Sequence, residues 1–372
     1  MAIERIFTRS PYYINAYEAG GITTATLELY VYKGEFRGDI PVTPQYTLTK
    51  NVGGDTSTFF EISQLVRDFV SHTQGYGEEV NWVACDLTLD SVAQTRIELV
   101  AMDGYNEFED GANFDNRKAI LTDAPSLITK DDYSIYIPVS RDSDGIEKVL
   151  FLSNGNVESE ITYSVVEQST DATDYVGGAK YGEGNYYQRV SASGGEVEEG
   201  QCLDCFLYSV DLNPCDEVRL IGFDGSVTSM DVVRDNLGMY SPKVVSFYNK
   251  YGVKEEMTFL RKSVNRITNQ SDNYNKVLGS SGQYGYSYNT TEHQVQRYNT
   301  RGEEFMTLSS GFVPEGFSEV IKQMMLSEYV WVDGKPVIVV TPEQEMQKQV
   351  NKGLINYFVE FRYSNNIINN VI

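Results

Sequence analysis

The sequence has few of the residues on which nucleophilic and acid–base catalysis most often depend. Its 372 residues include two His, two Trp and four Cys. His72 and His293 stand in no recognisable motif with a Ser or Cys nucleophile, and no G-x-S-x-G, P-loop or H-E-x-x-H string is present. We therefore predict no catalytic residue, no cofactor and no enzymatic activity. His72 is expected to end a helix, where an imidazole interacts favourably with the helix dipole.

Cysteine offers the best candidate for a metal site. Cys202 and Cys205 form a C-x-x-C pair, and Cys215 follows them. A structural zinc site needs four ligands, usually in two pairs, so the fourth would be Cys85 or a remote His or Asp. No Lys, Arg or His flanks the pair to activate a thiolate. We therefore predict small buried residues in or near a strand, with no metal and no redox role.

Acidic clusters are common in a chain with 53 Asp and Glu residues. Two of them resemble partial calcium loops, one at Asp142, Asp144 and Glu147 and one at Asp110, Asn113 and Asp115. Neither has the full spacing of a calcium loop, so we predict solvated turns. A carboxylate pair for polysaccharide hydrolysis stays open as a hypothesis, because one sequence does not single out such a pair.

The chain also lacks a basic run and a long apolar run. Its formal charge is −23, and such a surface repels nucleic acid and anionic membranes. We expect this charge to maintain solubility at high subunit concentration; the alternative is a negatively lined channel in which DNA passes without binding. No apolar segment approaches the roughly 20 residues of a membrane span. The start shows no signal peptide, so we expect synthesis in the reducing cytoplasm.

The residues that are abundant favour β-structure. There are 27 Tyr, 17 Phe and 31 Gly, which suit half-buried strands and many turns. In residues 24–33, Leu27, Leu29 and Val31 alternate with polar residues and Tyr, which predicts a half-buried strand. We predict a mainly β fold of two or three β-sandwich or jelly-roll-like domains, divided as 1–125, 126–235 and 236–372.

Two segments have helical rather than strand periodicity. Within residues 59–71, Ile62, Leu65, Val66 and Phe69 form one apolar stripe. Within residues 315–328, the stripe consists of Phe317, Val320, Ile321 and Met324, and Pro314 stands near its start. We therefore predict two short amphipathic helices.

Three polar or Tyr-rich segments are candidates for contacts between subunits. They are residues 1–15, 176–188 and 265–292, and the last of these is predicted to be an extended loop or arm because it has few aliphatic residues. Extended arms of this kind bury their Tyr and polar groups in interfaces.

Several strings resemble virion proteins of tailed bacteriophages, especially those of crAss-like and marine Bacteroidetes phages. They are SPYYINAYEAGGITTATLELYVYKG, TPQYTLTK, FFEISQLVRDFV, VSFYNKYGVKEEMTF, RGEEFMTLSSGFVPEGFSEVIKQMMLSEYVWV and INYFVEFRYSNNIINNVI. Residues 125–215 contribute nothing to this resemblance, and the strings are packing patterns without a catalytic signature.

The resemblance implies a structural subunit of the virion neck or tail: a ring, adaptor, tail-hub or baseplate protein. Its implied partners are other copies of itself in a ring and neighbouring virion proteins, with DNA passing through a lumen and no membrane. No site residue is implied. The alternative is a receptor- or carbohydrate-binding tail-fibre or adhesin module, because surplus Tyr rings stack on sugar faces.

Overall fold

The computed structural model describes residues 4–34, 40–70, 72, 80–111, 120–129, 134–138, 146–162, 205–209, 216–222, 224–234, 240–283, 285–341 and 354–367. These residues form several β-sheets with two short α-helices, so the predicted mainly β class is confirmed. The predicted division into three domains stays a prediction.

The first sheet is built from the N-terminal part of the chain. Its strands are β1 (Glu4–Phe7), β2 (Tyr13–Gly34), β3 (Tyr46–Glu61), β4 (Val80–Leu89), β5 (Val92–Ala93) and β6 (Ile97–Met102). Their order is β1-β6-β4-β2-β3, with β5 paired to β4, and all pairs are antiparallel except β1 with β6. Helix α1 (Ser63–Arg67) follows β3, and a 3-10 helix (Phe108–Asp110) follows β6.

Both faces of the first sheet are covered. Leu27, Leu29 and Val31 of β2 lie in one apolar cluster, as their alternation predicts. Tyr30 and Tyr32 on the other face belong to a second apolar cluster. Its other members are Phe7, Trp82, Ala84, Val100, Met102, Leu121, Tyr251 and Val253. The expectation of a half-buried strand was therefore wrong, because residues remote in sequence cover the face that local alternation assigned to solvent.

The middle of the chain forms a smaller sheet and a separate strand pair. The strands are β7 (Ser126–Thr129), β8 (Ser134–Pro138), β9 (Ile146–Ser153), β10 (Asn156–Thr162), β11 (Cys205–Ser209), β12 (Glu217–Gly222) and β13 (Val227–Arg234). The sheet order is β10-β9-β12-β13-β7, and β8 pairs with β11. Asn154 and Gly155 join β9 to β10 with φ of 50° and 79°, the conformation that Asn-Gly favours in a two-residue hairpin turn.

The C-terminal part forms a seven-stranded sheet. Its elements are β14 (Lys243–Tyr248), β15 (Lys254–Phe259), β16 (Val264–Asn275), β17 (Gly279–Gly282), β18 (Gly285–Tyr288), β19 (Val295–Pro314), α2 (Phe317–Leu326), β20 (Val330–Val332), β21 (Lys335–Val339) and β22 (Leu354–Tyr363). The order is β15-β14-β20-β21-β22-β19-β16, and β17 and β18 form a separate two-stranded sheet.

One of the two predicted helices is confirmed, and the other is shorter than predicted. In α2 the whole predicted stripe of Phe317, Val320, Ile321 and Met324 is buried in the C-terminal core, so that prediction is confirmed. The predicted helix over 59–71 was too long. Residues 59–61 continue β3, where Phe60 pairs with β2 and enters the sheet core, and α1 has five residues. Pairing with a long neighbouring strand overrides the helical periodicity there.

The buried stripe of α2 gives a direct test of the fold. Replacing Ile321 with Ala should lower the free energy of unfolding by about 2–5 kcal/mol, because the side chain is fully buried and a cavity would remain. Guanidinium unfolding followed by Trp fluorescence measures this change. Glu319→Gln on the same helix should change stability by less than about 0.5 kcal/mol, as is usual for substitutions at the surface. Equal effects of both changes would contradict the packing described.

Candidate interaction surface

His72 lies in a buried cluster between the first sheet and the C-terminal sheet. Its side chain is 5% exposed, and its Nε2 lies 2.9 Å from Asp103 Oδ2. The ring stacks on Tyr329 at a centroid distance of 4.1 Å and meets Tyr248 edge-on at 4.6 Å. Helix α1 ends at Arg67, so the expectation that His72 ends a helix was wrong. His72 instead contacts both the first sheet and the C-terminal part of the chain. His293 lies exposed between β18 and β19, far along the chain from this cluster.

The described residues do not bring the candidate metal-binding cysteines together. Cys85 is a free, fully buried thiol in β4, and burial, together with the charge of Asp86, raises its pKa to about 12. Cys205 begins β11, and Cys202 and Cys215 lie outside the described residues. No group of three or more His, Cys, Asp or Glu side chains within the described ranges is placed to hold a metal ion.

The partial calcium loops are only partly described. Asp110 lies in the 3-10 helix and accepts a hydrogen bond from the Glu107 backbone N–H at 3.0 Å. Glu147 lies in β9. Asp142, Asp144, Asn113 and Asp115 lie outside the described residues. The hypothesis of solvated turns at these positions stays a prediction.

Ion pairs connect the first sheet to the C-terminal sheet along one seam. Arg67 contacts Glu328 at 2.7 Å and Asp103 at 3.4 Å. Arg9 donates to the Leu326 carbonyl oxygen at 3.2 Å and approaches Glu328 at 3.9 Å. The end of α2 is therefore held by cations from the N-terminal part of the chain.

The same seam includes a close approach of two backbones. The Tyr105 N–H donates to the Lys250 carbonyl oxygen at 2.8 Å. A Cβ added at Gly104 would lie 2.5 Å from that oxygen, and one at Gly252 would lie 2.6 Å from the backbone nitrogens of Asp103 and Gly104. Gly252 also has a φ of +73°, which favours glycine. No side chain other than hydrogen fits at either position without displacing the opposite backbone.

Asp103 carries much of the polar contact at the seam. It accepts from the Thr8 hydroxyl at 3.0 Å, and its side chain is 3% exposed. Burial alone would raise the pKa of this carboxyl, but His72, Thr8 and Arg67 together hold the pKa below its usual value. Its stabilising contribution is therefore present above the pKa of an unfolded Asp and is lost as the pH falls through the folded-state pKa.

Replacing Asp103 with Ala should lower the free energy of unfolding at pH 7 by about 3 kcal/mol or more, because His72 and Arg67 lose a buried anion. Urea unfolding at several pH values measures the effect. The difference from the wild type should shrink as the pH falls below the ordinary range for Asp. Asp231→Ala, which removes an exposed carboxylate from β13, serves as the control. A deficit that does not change with pH would contradict the ionised contact.

A second buried network lies beside the seam and centres on Glu255. Its carboxylate accepts from Thr122 Oγ1 at 2.5 Å and from Asn249 Nδ2 at 2.8 Å. Burial raises the pKa of Glu255 to about 7, and the charge of Asp123 also raises it. The hydrogen bonds from Thr122 and Asn249 and the charge of Lys250 lower the pKa, but they do not offset burial. Glu255 shares the inward side of β15 with Met257 and Phe259, since i and i+2 side chains point the same way.

Sequence reasoning missed Glu255, although a signal was present. A Glu in alternation with two core residues of a strand is expected to point inward, and an inward carboxylate needs hydrogen-bond donors. Thr122 lies far from Glu255 along the chain, and Asn249 lies in the loop between β14 and β15. No local sequence pattern identifies them as its donors. The network also includes Asp123, which accepts from Tyr251 Oη at 2.9 Å and from Gln323 Nε2 at 2.7 Å.

The raised pKa of Glu255 predicts a particular pH dependence. Between about pH 4.5 and 7 the folded chain binds a proton that the unfolded chain releases, so stability falls as the pH rises through this range. A shift of this size corresponds to about 3 kcal/mol. Glu255→Gln should remove that part of the slope, as measured by urea unfolding at pH 5 and pH 8. Unchanged slopes in the variant would show that Glu255 does not titrate there.

The most distinctive exposed feature is a two-stranded ribbon, which we call the arm (residues 268–303). Its strands are β16 and the first part of β19, and β17 and β18 lie at its tip. β19 pairs with β22 only from Phe305 to Pro314, so the stretch beyond Ile267 and Glu304 has no third strand among the described residues. β16 has 12 residues and is therefore about 40 Å long. The predicted extended segment is thus a β-ribbon rather than an irregular loop.

The arm exposes aromatic side chains to solvent. Tyr274 and Tyr298 lie on one face with their rings edge-to-face at 5.7 Å and are 45% and 52% exposed. Tyr286 and Tyr288 on β18 are 72% and 64% exposed. Exposed Tyr rings of this density are typical of protein interfaces and sugar-binding surfaces.

The charge of the arm differs from that of the whole chain. It contains Lys276, Arg297 and Arg301 against Asp272, Glu292 and Glu303, so its formal charge is zero. Lys276 pairs with Glu292 at 3.3 Å within the arm, and Arg362 of β22 pairs with Glu303 at 3.3 Å. In a chain with a formal charge of −23, the arm is therefore a segment that another acidic molecule can approach without strong repulsion.

Comparisons with known proteins add little to this description. No protein-family model matches the chain, and no curated protein matches it. A solved structure, the crystal structure of the periplasmic chaperone SfaE, aligns with 10% sequence identity over 63% of this chain and 98% of that chain, with a TM-score of 0.20. A TM-score this low carries no argument about fold or function. Among the described residues, no helix has the length and apolar character needed to cross a membrane.

Proposed function

We propose that this chain is a structural subunit of a tailed-phage virion that forms a homo-oligomeric ring in the neck or tail through its arm. The observation that carries the proposal is the arm itself. An isolated two-stranded ribbon is marginally stable in water, and a third strand or a packing surface is needed to hold it. A neighbouring subunit supplies that surface.

The body of the protein supports an assembly role. The Gly104–Gly252 approach and the ion pairs of Arg67 link the first and C-terminal sheets tightly. A rigid body with one projecting ribbon suits a subunit that must keep a fixed geometry relative to its neighbours. The phage assignment rests on the resemblance of the quoted strings.

The acidic charge fits the same proposal. In a ring, the −23 charge of each subunit repels the phosphates of DNA, so DNA in the lumen passes without binding. The arm, which carries no net charge, makes the contact between subunits that the acidic surfaces alone would oppose.

A receptor- or glycan-binding module is the second candidate, and the exposed Tyr286 and Tyr288 favour it. Tyr faces stack on sugar rings in many carbohydrate sites. Saturable binding to a glycan array that is lost in Tyr286→Ala and Tyr288→Ala, with no self-association, would favour this candidate. The Tyr-rich segment 176–188 lies outside the described residues.

Shortening the arm tests the main proposal. Gln270 and Arg301 are directly opposed, so replacing residues 271–300 with Asn-Gly closes the ribbon with a two-residue hairpin turn. We expect the full chain to form closed oligomers in mass photometry and the shortened chain to remain monomeric. Both should unfold at a similar temperature, because the cores do not include the deleted residues. A full-length protein that stays monomeric and binds no other virion protein would contradict the proposal.

A further inference from the structure

We propose that the arm of one copy pairs with the free edge of β3 in a second copy of this chain. This inference rests on the proposed assembly function and adds to it the surface that receives the arm. The juxtaposition requires only elements that the structure describes: the ribbon of β16 and β19, and the outer edge of the first sheet.

β3 is a long edge strand with one side open. Its 16 residues pair with β2, and no described strand pairs with its other side. Exposed edges of this length present a row of backbone donors and acceptors and are usually shortened, charged or covered. Most side chains of β3 are exposed, and Lys50, Asp55 and Glu61 are its charged residues. The strand is therefore open to pairing and carries little of the acidic charge.

One regular stretch of β3 is suited to backbone pairing with a strand of the arm. Residues Tyr46–Asn51 pair with β2 without interruption, whereas register shifts accompany Gly53 and Gly54, whose φ values are 71° and 103°. The regular stretch is where an incoming strand would keep its register. The register shifts interrupt the ladder at the glycines, so the incoming strand pairs with the regular stretch. Lys50 of that stretch donates to the Phe59 carbonyl oxygen and so brings Phe59 close to it.

An exposed aromatic patch lies next to this edge. Tyr13, Tyr17 and Phe59 are 40%, 70% and 52% exposed, and Tyr13 meets Phe59 edge-to-face at 5.4 Å. Lys50 lies over the Phe59 ring at 4.5 Å. Tyr274 and Tyr298 of an arriving arm would bury their rings against this patch, while the strands pair. Aromatic anchors beside backbone pairing are typical of strand addition.

The other edge of the C-terminal sheet does not compete for the arm. β15 packs against β7 and β8 of the middle of the chain, which cover it. β16 and β3, by contrast, lie at open edges of two different sheets. Contact between two different surfaces on identical chains is heterologous and propagates around a ring or along a filament, whereas arm-to-arm pairing would give two-fold dimers.

Photo-cross-linking tests the contact directly. p-Benzoylphenylalanine at Tyr298, in a mixture of ¹⁵N-labelled and unlabelled full-length chains, should yield inter-chain adducts that map to residues 46–61. The same probe at Phe312, which is exposed on the C-terminal sheet, is the matched control and should not label that stretch. Mass photometry of the same samples reports whether oligomers form at all.

The outcomes separate this inference from the proposed function. Oligomers whose Tyr298 adducts fall on another arm, on other surfaces, or within one chain would overturn the arm–β3 contact and leave the assembly role intact. Absence of oligomers at every concentration, with no binding to other virion proteins, would overturn both.

Added charge gives an independent check. Thr47→Lys with Thr49→Lys places two cations on the exposed edge strand β3, and Lys on an edge strand opposes the addition of another strand. We expect self-association to weaken by about tenfold or more, equivalent to about 1.4 kcal/mol. Val92→Lys with Gln94→Lys adds the same charge at an exposed turn elsewhere on the first sheet and should leave assembly unchanged. Equal effects of the two pairs would overturn the inference.

Discussion

The contact of Gly104 with Gly252 is the constraint on which the rest of the structure depends. The backbone approach is too close for any side chain, and it brings the loop around Tyr251 against the outer face of the first sheet. Tyr251 and Val253 can then cover Tyr30, Tyr32 and Trp82. The face of the sheet that would otherwise be exposed to solvent is therefore buried as well. The ion pairs at Arg67 and the stacking of His72 follow from the same approach.

The sequence was informative where short-range pattern decides structure. The stripe of α2 and the alternation in β2 both led to correct elements. The extended character of 265–292 was also correct, although its pairing as a ribbon was not visible, because strand partners in the arm are separated by a polar tip.

Pattern failed where partners lie far apart in the chain. The second face of β2 is covered by Leu121 and Tyr251, and the donors to Glu255 include Thr122. The N-terminal part of the predicted first helix forms a strand instead, because it pairs with β2. The position of His72 beside Asp103 and Tyr329 depends on the tertiary structure, and no local pattern predicts it. The sequence therefore predicted which segment forms the candidate interaction surface, but not the strand pairing that gives this segment its structure.

The tight seam between the two larger sheets has a consequence for curvature. In the proposed assembly, β3 belongs to one sheet and the arm to another, so the seam sets the angle between the surface that gives a contact and the surface that receives one. Each added subunit repeats that angle, and the number of copies that closes a circle is the full turn divided by it. The diameter of any central opening would then be encoded far from the opening itself, in two glycines and the residues packed around them.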